Sequence, residues 1–187
     1  MVARCLGWDS RGVTVAAGTH RLGCARYAPP PLPDSAWDGF DAETPFAAWN
    51  PQIRSHFETD MLACLAGELA ELMLAPPRAG RQMPTVADQA AEQVEALAAL
   101  PEPPPADVAV IRKTVDTPGQ SDTETIAKLV WAAHGPDLAA GSAWLGWMEA
   151  ACRSLILARR AEIERIAALL TVRHTLTGQQ VAALLRE

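Results

Sequence analysis

An aspartate at the start of a predicted helix is the residue of this chain best placed to bind a metal ion. Ser121 and Glu124 have the spacing of a capping box, and an apolar run follows at residues 126–130. Asp122 then lies in the first helical turn, where the helix dipole stabilises a carboxylate. Two interpretations stay open: Asp122 belongs to a well-capped helix and does nothing more, or it is one ligand of a metal site.

The histidines do not supply the other ligands of such a site. A zinc motif on one helix places two histidines four residues apart with a glutamate between them, and His56 begins such a pattern with Glu58 behind it. Asp60 stands where the second histidine would be, so His56 is expected to be a lone exposed histidine. The remaining histidines are far apart in the sequence: His20, His134 and His174.

The cysteines predict neither a zinc ribbon nor a disulfide framework, because no two of them are close in the sequence. No neighbour of Cys64 in the sequence favours a thiolate, and the chain has neither a glycine-rich phosphate loop nor a GxSxG motif. No catalytic residue is therefore predicted within this chain. Reduced, small core residues of a cytoplasmic protein are expected at all four positions: Cys5, Cys24, Cys64 and Cys152.

The composition excludes some classes of partner. The chain has 187 residues, of which 49% are hydrophobic and 20% are charged, as is typical of a soluble globular protein. Its net charge of -6 and isoelectric point near 5.2 argue against a nucleic-acid or anionic-membrane surface. No apolar run approaches the ~20 residues that span a bilayer, and the N-terminus lacks the apolar region of a signal peptide. Neither nucleic acid nor membrane is expected as a partner.

Hydrophobic periodicity predicts an α+β fold that is mainly α-helical, a helical bundle-like domain with one small N-terminal β-hairpin. Alternating β-branched residues predict the two hairpin strands at residues 12–17 and 22–27. Residues 34–51 are expected to form an ordered loop held by Trp37, Phe40, Phe46 and Trp49. Apolar residues at helical spacing predict helices at residues 53–74, 86–100, 121–134, 142–170 and 177–185.

Two packing predictions follow from single positions in these helices. Gly67 interrupts a helix at a cost of roughly 1 kcal/mol against alanine, so another element is expected to approach it closely. Trp144, Trp147 and Met148 form an apolar stripe at helical spacing. The stripe is predicted to lie in the core and not to line a ligand pocket.

The order of these elements resembles the peptidase domain of the FtsH-type ATP-dependent zinc metalloproteases and of their small stand-alone bacterial relatives. In that family a helix bearing HExxH runs into a short hairpin, and residues 2–7 and 13–29 are similar to the end of that helix and to the hairpin. Residues 65–71 match the next helix of the family, with its Ala-Gly and Ala-Glu pattern. Ser121 and Asp122 match a Ser/Asn-Asp motif whose aspartate is the third zinc ligand.

The resemblance continues to the C-terminus. Residues 160–185 are similar to the long helix of the family and to the short Leu-Thr-Gly-x-x-Val helix that follows it. The resemblance covers most of residues 1–75 and 120–187, and it implies a single peptidase-like domain over residues 1–187. Residues 1–75 would hold a helix remnant, the hairpin and the first long helix, residues 76–119 a proline-rich insertion, and residues 120–187 the C-terminal helices.

The resemblance implies an ATP-independent zinc metallopeptidase, because no ATPase module is present in the chain. Asp122 and the histidine pair of HExxH would bind zinc, and the glutamate would activate water for peptide hydrolysis. HExxH is absent from the sequence, and the family would place it just before Met1. Zinc catalysis needs three protein ligands and a base. With Asp122 alone, this chain is therefore expected to bind no zinc and to be inactive as it stands.

Two explanations for the missing motif stay open. A misassigned start or an incomplete fragment would place HExxH upstream of Met1, and the partner would be a polypeptide substrate. If the truncation is real, the domain would be a non-catalytic helical interaction module for a protein partner. Its binding surface would be the aromatic loop at residues 34–51 or part of the stripe that contains Trp144 and Trp147.

Overall fold

The chain is mainly helical, as predicted. The computed structural model describes residues 9–14, 24–28, 32–41, 43–74, 84–104 and 121–185. Within these ranges the strands are β1 (Asp9–Thr14), β2 (Cys24–Ala28) and β3 (Thr175–Thr177). Two short 3-10 helices, Asp34–Trp37 and Phe46–Ala48, precede the first α-helix. The α-helices of the described residues are α1 (Pro51–Leu74), α2 (Val86–Ala98), α3 (Asp122–His134), α4 (Leu138–Ala158), α5 (Arg160–Arg173) and α6 (Gly178–Leu184).

The chain divides into two compact units, Met1–Pro31 with Ser154–Glu187, and Leu32–Arg153. The assignment of residues 1–187 to a single domain stays a prediction. Among the described residues, no helix is long and apolar enough to cross a membrane.

The first unit is built on a three-stranded sheet of order β2-β1-β3, in which both strand pairs are antiparallel. Leu176 of β3 pairs with Val13 of β1 and is buried. Residues 15–23 lie outside the described part of the chain, so the predicted hairpin connection between β1 and β2 stays a prediction. Leu176 belongs to an apolar cluster with α5 and α6: Ile166, Leu170, Leu176 and Val181, with Val13, Leu169, Leu184 and Leu185 partly buried beside them.

The third strand, β3, was not predicted from the sequence. Helix α5 ends at Arg173, and the next residue, His174, caps it with a left-handed φ of 59°, a conformation that glycine adopts more readily than histidine. The chain turns there and enters β3. Thr177 ends β3 and caps α6, because its Oγ1 accepts a hydrogen bond from the backbone N–H of Gln180 at 3.3 Å. The predicted capping box of Thr177 and Gln180 is therefore confirmed.

The second unit contains α1, α2 and α3, and α3 packs against both of the other helices. Glu68 of α1 accepts a hydrogen bond from the backbone N–H of Val86 at 2.6 Å. This contact joins the first turn of α2 to α1, and a negative charge at that position also suits the helix dipole. The fully buried side chains of these helices are apolar: Ile53, Phe57, Met61, Leu65, Leu69, Ile126 and Leu129.

The prediction of one long helix over residues 142–170 is wrong. Helix α4 ends at Ala158 and α5 begins at Arg160, with Arg159 between them at φ -116° and ψ 19°. The backbone N–H of Arg159 is shared between the carbonyls of Leu155 and Ile156. No glycine or proline stands at this break, so helical spacing runs through it and the sequence pattern contains no signal for it.

The prediction of a close approach at Gly67 is also wrong. Gly67 is exposed, and a Cβ atom built there meets none of the described residues within 4 Å. The tight contact occurs instead at Gly141 of α4, where a Cβ would lie 2.9 Å from Cγ1 of Val130 in α3. Glycine at position 141 therefore allows α4 to lie directly against α3.

The aromatic loop is ordered, as predicted for residues 34–51. Phe46 and Trp49 are buried, and their ring centroids are 5.0 Å apart. The indole N–H of Trp49 donates to the carbonyl of Thr44 at 2.8 Å, and the side-chain amide of Asn50 donates to the carbonyl of Ala36 at 3.1 Å. The two buried rings of the loop thus face the core and do not form an open binding surface.

The predicted apolar stripe on α4 is only partly in the core. Trp144 and Met148 are buried, whereas 57% of the surface of Trp147 is exposed. The prediction of burial is therefore wrong for Trp147. Helical spacing places these residues near one another on the helix, but the width of the buried face depends on which elements pack against it.

Candidate functional site

Asp122 lies in the first turn of α3, and the capping box predicted for this helix is confirmed. Oγ of Ser121 accepts a hydrogen bond from the N–H of Glu124 at 3.2 Å. The carboxylate of Glu124 in turn accepts a hydrogen bond from the N–H of Ser121 at 3.4 Å. Asp122 is exposed. The cap therefore fixes the backbone of an exposed carboxylate at the positive end of a helix dipole.

A buried thiol of α1 lies near this carboxylate. Burial raises the pKa of the Cys64 thiol far above its ordinary value, and the negative charges of Asp122 and Asp60 raise it further. Cys64 is therefore a protonated thiol at physiological pH, not a nucleophile.

His56 and Asp60 lie on α1 close to Cys64, and both are buried. Nε2 of His56 is 3.6 Å from Oδ2 of Asp60, one helical turn away. The prediction that His56 is an exposed histidine is therefore wrong. His56, Asp60 and Cys64 occur at four-residue intervals, so they share one face of α1. The four-residue spacing is visible in the sequence, but it does not reveal whether that face of α1 is buried.

The described residues bring together polar groups but not a complete metal centre. Within the part of the chain that the structure describes, no group of three or more histidine, cysteine, aspartate or glutamate side chains is arranged to hold a metal ion. Asp122 is therefore a single candidate ligand. The resemblance also implies that Asp122 lies beside residues 2–7, which are similar to the end of the HExxH helix. Those residues are outside the described part of the chain, so this stays a prediction.

Comparison of the chain with protein-family models, with curated proteins and with solved structures finds no match. The resemblance to the FtsH-type peptidase domain therefore depends on the order of elements and on the motifs at residues 65–71, 121–122 and 176–181. For Asp122 itself, the structural information is its position at the start of α3 near Cys64 of α1.

Proposed function

We propose that this chain is a peptidase-related domain of the FtsH type, with a small N-terminal hairpin, in which Asp122 is the carboxylate ligand of a zinc ion. The zinc-activated water would hydrolyse peptide bonds in a form of the protein that also carries HExxH. The observation that supports the proposal is the position of Asp122, exposed at a capped helix start and near a buried thiol.

In the proposed site the thiol of Cys64 would orient Asp122. A carboxylate that binds a metal is commonly held in orientation by a hydrogen bond from a neighbouring group. Burial and the nearby carboxylates keep the thiol of Cys64 protonated, so near Asp122 it would act as a donor. The thiol belongs to α1, the helix whose Ala-Gly pattern carries part of the resemblance.

The remaining ligands would come from outside these 187 residues, because the sequence contains no pair of histidines at helical spacing. A catalytic zinc site requires three protein ligands and an open position for water. In the proposed site Asp122 supplies one ligand, a histidine pair supplies two, and the glutamate of HExxH accepts the proton of the zinc-bound water. The role of this chain's own residues is to hold Asp122 in place.

The test begins with the reading frame upstream of the Met1 codon. If that frame encodes HExxH, the extended product is purified, and its zinc content and chelator-sensitive casein cleavage are measured. We expect about one zinc per chain, and D122N is expected to lose both the zinc and the cleavage. D88N is the matched control, because Asp88 lies in the first turn of α2 inside a capping box of its own.

Two results would overturn the enzyme proposal. One is a stop codon in the upstream frame before any HExxH. The other is a D122N variant that keeps its zinc while remaining folded by circular dichroism. Equal zinc loss in D88N and D122N would also contradict the assignment, because it would reflect a general effect of helix caps.

A second candidate function is a non-catalytic helical interaction module, and one observation favours it. Trp147 is 57% exposed on α4, and large exposed aromatic side chains are enriched at protein interfaces. The test immobilises wild type and W147S separately and compares which polypeptide partners each of them retains. A partner retained by both baits, or by neither, would contradict a binding role for Trp147.

A further inference from the structure

Three aromatic rings from different segments of the second unit meet in one cluster. His134 ends α3, Trp144 lies on α4, and Phe46 lies in the second 3-10 helix of the aromatic loop. Ring centroids are separated by 5.5 Å for Phe46 and His134, 4.9 Å for Phe46 and Trp144, and 5.3 Å for His134 and Trp144. Phe46 therefore packs against the pair formed by His134 and Trp144.

The cluster contains two buried polar atoms whose chemistry depends on the protonation of His134. Nε2 of His134 and Nε1 of Trp144 are both buried without a hydrogen-bond partner among the described residues. The indole N–H can only donate, whereas Nε2 of a neutral histidine can accept. A neutral His134 is thus a compatible neighbour for the Trp144 indole. A protonated His134 would place two donors beside each other without an acceptor.

Burial and the nearby negative charge change the pKa of His134 in opposite directions. Burial lowers the pKa of His134, and the nearby charge of Asp137, in the turn between α3 and α4, raises it by a smaller amount. The carboxyl end of α3 also favours a positive charge. The groups that face His134 from the loop and from α4 are uncharged, namely Phe46, Trp144 and Gly141. Among the described residues, desolvation therefore dominates.

Phe46 and Trp49 attach the loop segment 43–50 to the core in different ways. Trp49 packs edge-on against Phe57 of α1, with ring centroids 5.3 Å apart. Phe46 contacts the rings of His134 and Trp144 and lies 6.5 Å from the ring of Phe57. Of these two rings, Phe46 is the one that contacts His134, so its displacement would uncover apolar surface beside Trp144.

We propose that His134 is a pH-sensitive latch, which holds the side chain of Phe46 against α3 and α4 while it is neutral and releases that side chain when it is protonated. Release exposes the apolar surface beneath Phe46 in mildly acidic conditions. The latch depends on residues of α3, α4 and the loop, and it does not require the proposed zinc site.

The test follows Phe46 and His134 in the same full-length protein. The chain has three phenylalanines, so uniform 4-fluorophenylalanine labelling gives three ¹⁹F signals, and F46L assigns the one from position 46. We expect that signal to move toward its unfolded-state shift as pH falls from 7.5 to 5. Its midpoint should equal the titration midpoint of the His134 imidazole, measured by ¹H–¹⁵N spectra.

Two variants, D137N and H134Q, test whether His134 causes the change at Phe46. D137N keeps an oxygen that can cap α4 but removes the charge that favours protonation of His134, so its midpoint should shift to lower pH. H134Q should remove the transition. A Phe46 signal that does not change with pH in wild type would overturn the latch, as would a midpoint that differs from that of His134. If H134Q does not fold, the wild-type and D137N midpoints still decide the matter, because equal midpoints in the two proteins would also overturn it.

Discussion

The carboxylate of Asp122, in the first turn of α3, lies near the thiol of Cys64 in the middle of α1, and its negative charge raises the pKa of that thiol. The thiol is buried and the carboxylate is exposed. The charge of Asp122 therefore favours the protonated form of a group that cannot reach water. The relationship links the stability of the helix pair to the surroundings of the candidate metal ligand.

A double-mutant cycle should detect the interaction between Cys64 and Asp122 as a coupling in the free energy of unfolding. C64A removes a buried thiol and is expected to cost about 1–2 kcal/mol. D122A is expected to cost less, because Asp122 is exposed. The coupling between the two, measured by urea unfolding, should be roughly 0.5–1 kcal/mol. The matched control is the pair C152A and D122A, because Cys152 donates to the carbonyl of Leu62. A coupling as large in the control pair would contradict a specific interaction between Cys64 and Asp122.

The buried thiols should resist alkylation in the folded protein. Burial raises the pKa of Cys64 well above its usual range and that of Cys152 to about 11, and the thiolate is the reactive form. Iodoacetamide at pH 8 is expected to leave both residues unmodified and to modify both in 8 M urea, as measured by peptide mass spectrometry. D122N removes only a lesser cause of the raised pKa of Cys64, so its Cys64 should still be protected. Rapid native-state modification of Cys64 would show that its thiol is accessible.

Two glycine-to-alanine substitutions should change stability in opposite directions. G67A places a Cβ in open space on a helix, so it should stabilise the protein by about 0.5–1 kcal/mol. G141A places a Cβ 2.9 Å from Cγ1 of Val130 and should cost about 1–3 kcal/mol. Urea unfolding measures both effects.

The variant V130A tests the stated cause of the G141A effect. Removing the γ carbons of Val130 leaves room for the methyl group that G141A adds, so the double variant should be more stable than the sum of the single effects predicts. G146A is the control on the same helix, because a Cβ there meets nothing within 4 Å. Strict additivity of G141A and V130A would show that the contact does not limit the approach of α4 to α3.

The pH dependence of stability should carry a contribution from His134. Its pKa is lowered in the folded state by burial, so the unfolded chain binds more protons at acid pH. This contribution is fully present above the unfolded value of about 6.5, and it is lost as pH falls from there through the folded-state pKa. H134Q should therefore lose less stability than wild type between pH 7.5 and 5. H174Q is the control, because His174 is exposed. Equal slopes for H134Q and wild type would contradict the prediction.

Local patterns in the sequence were sufficient to predict where most helices begin. The capping boxes at Ser121 and Thr177 were recognised because a cap involves only residues three positions apart. The bounds of α1 and α3 followed from apolar spacing for the same reason. The mainly helical character and the ordered aromatic loop were therefore determined by the sequence itself.

Tertiary structure alone decided the features that depend on what packs against a helix. The sequence does not reveal that the face of α1 with His56 and Cys64 is buried, or that α4 approaches α3 at Gly141 while the surroundings of Gly67 stay open. Nor does it show that Trp147 is exposed, because burial is a property of the neighbouring elements. Asp122 could be recognised as an acid at a helix start from local rules, but its contact with Cys64 joins distant parts of the chain and arises only when α1 and α3 pack together.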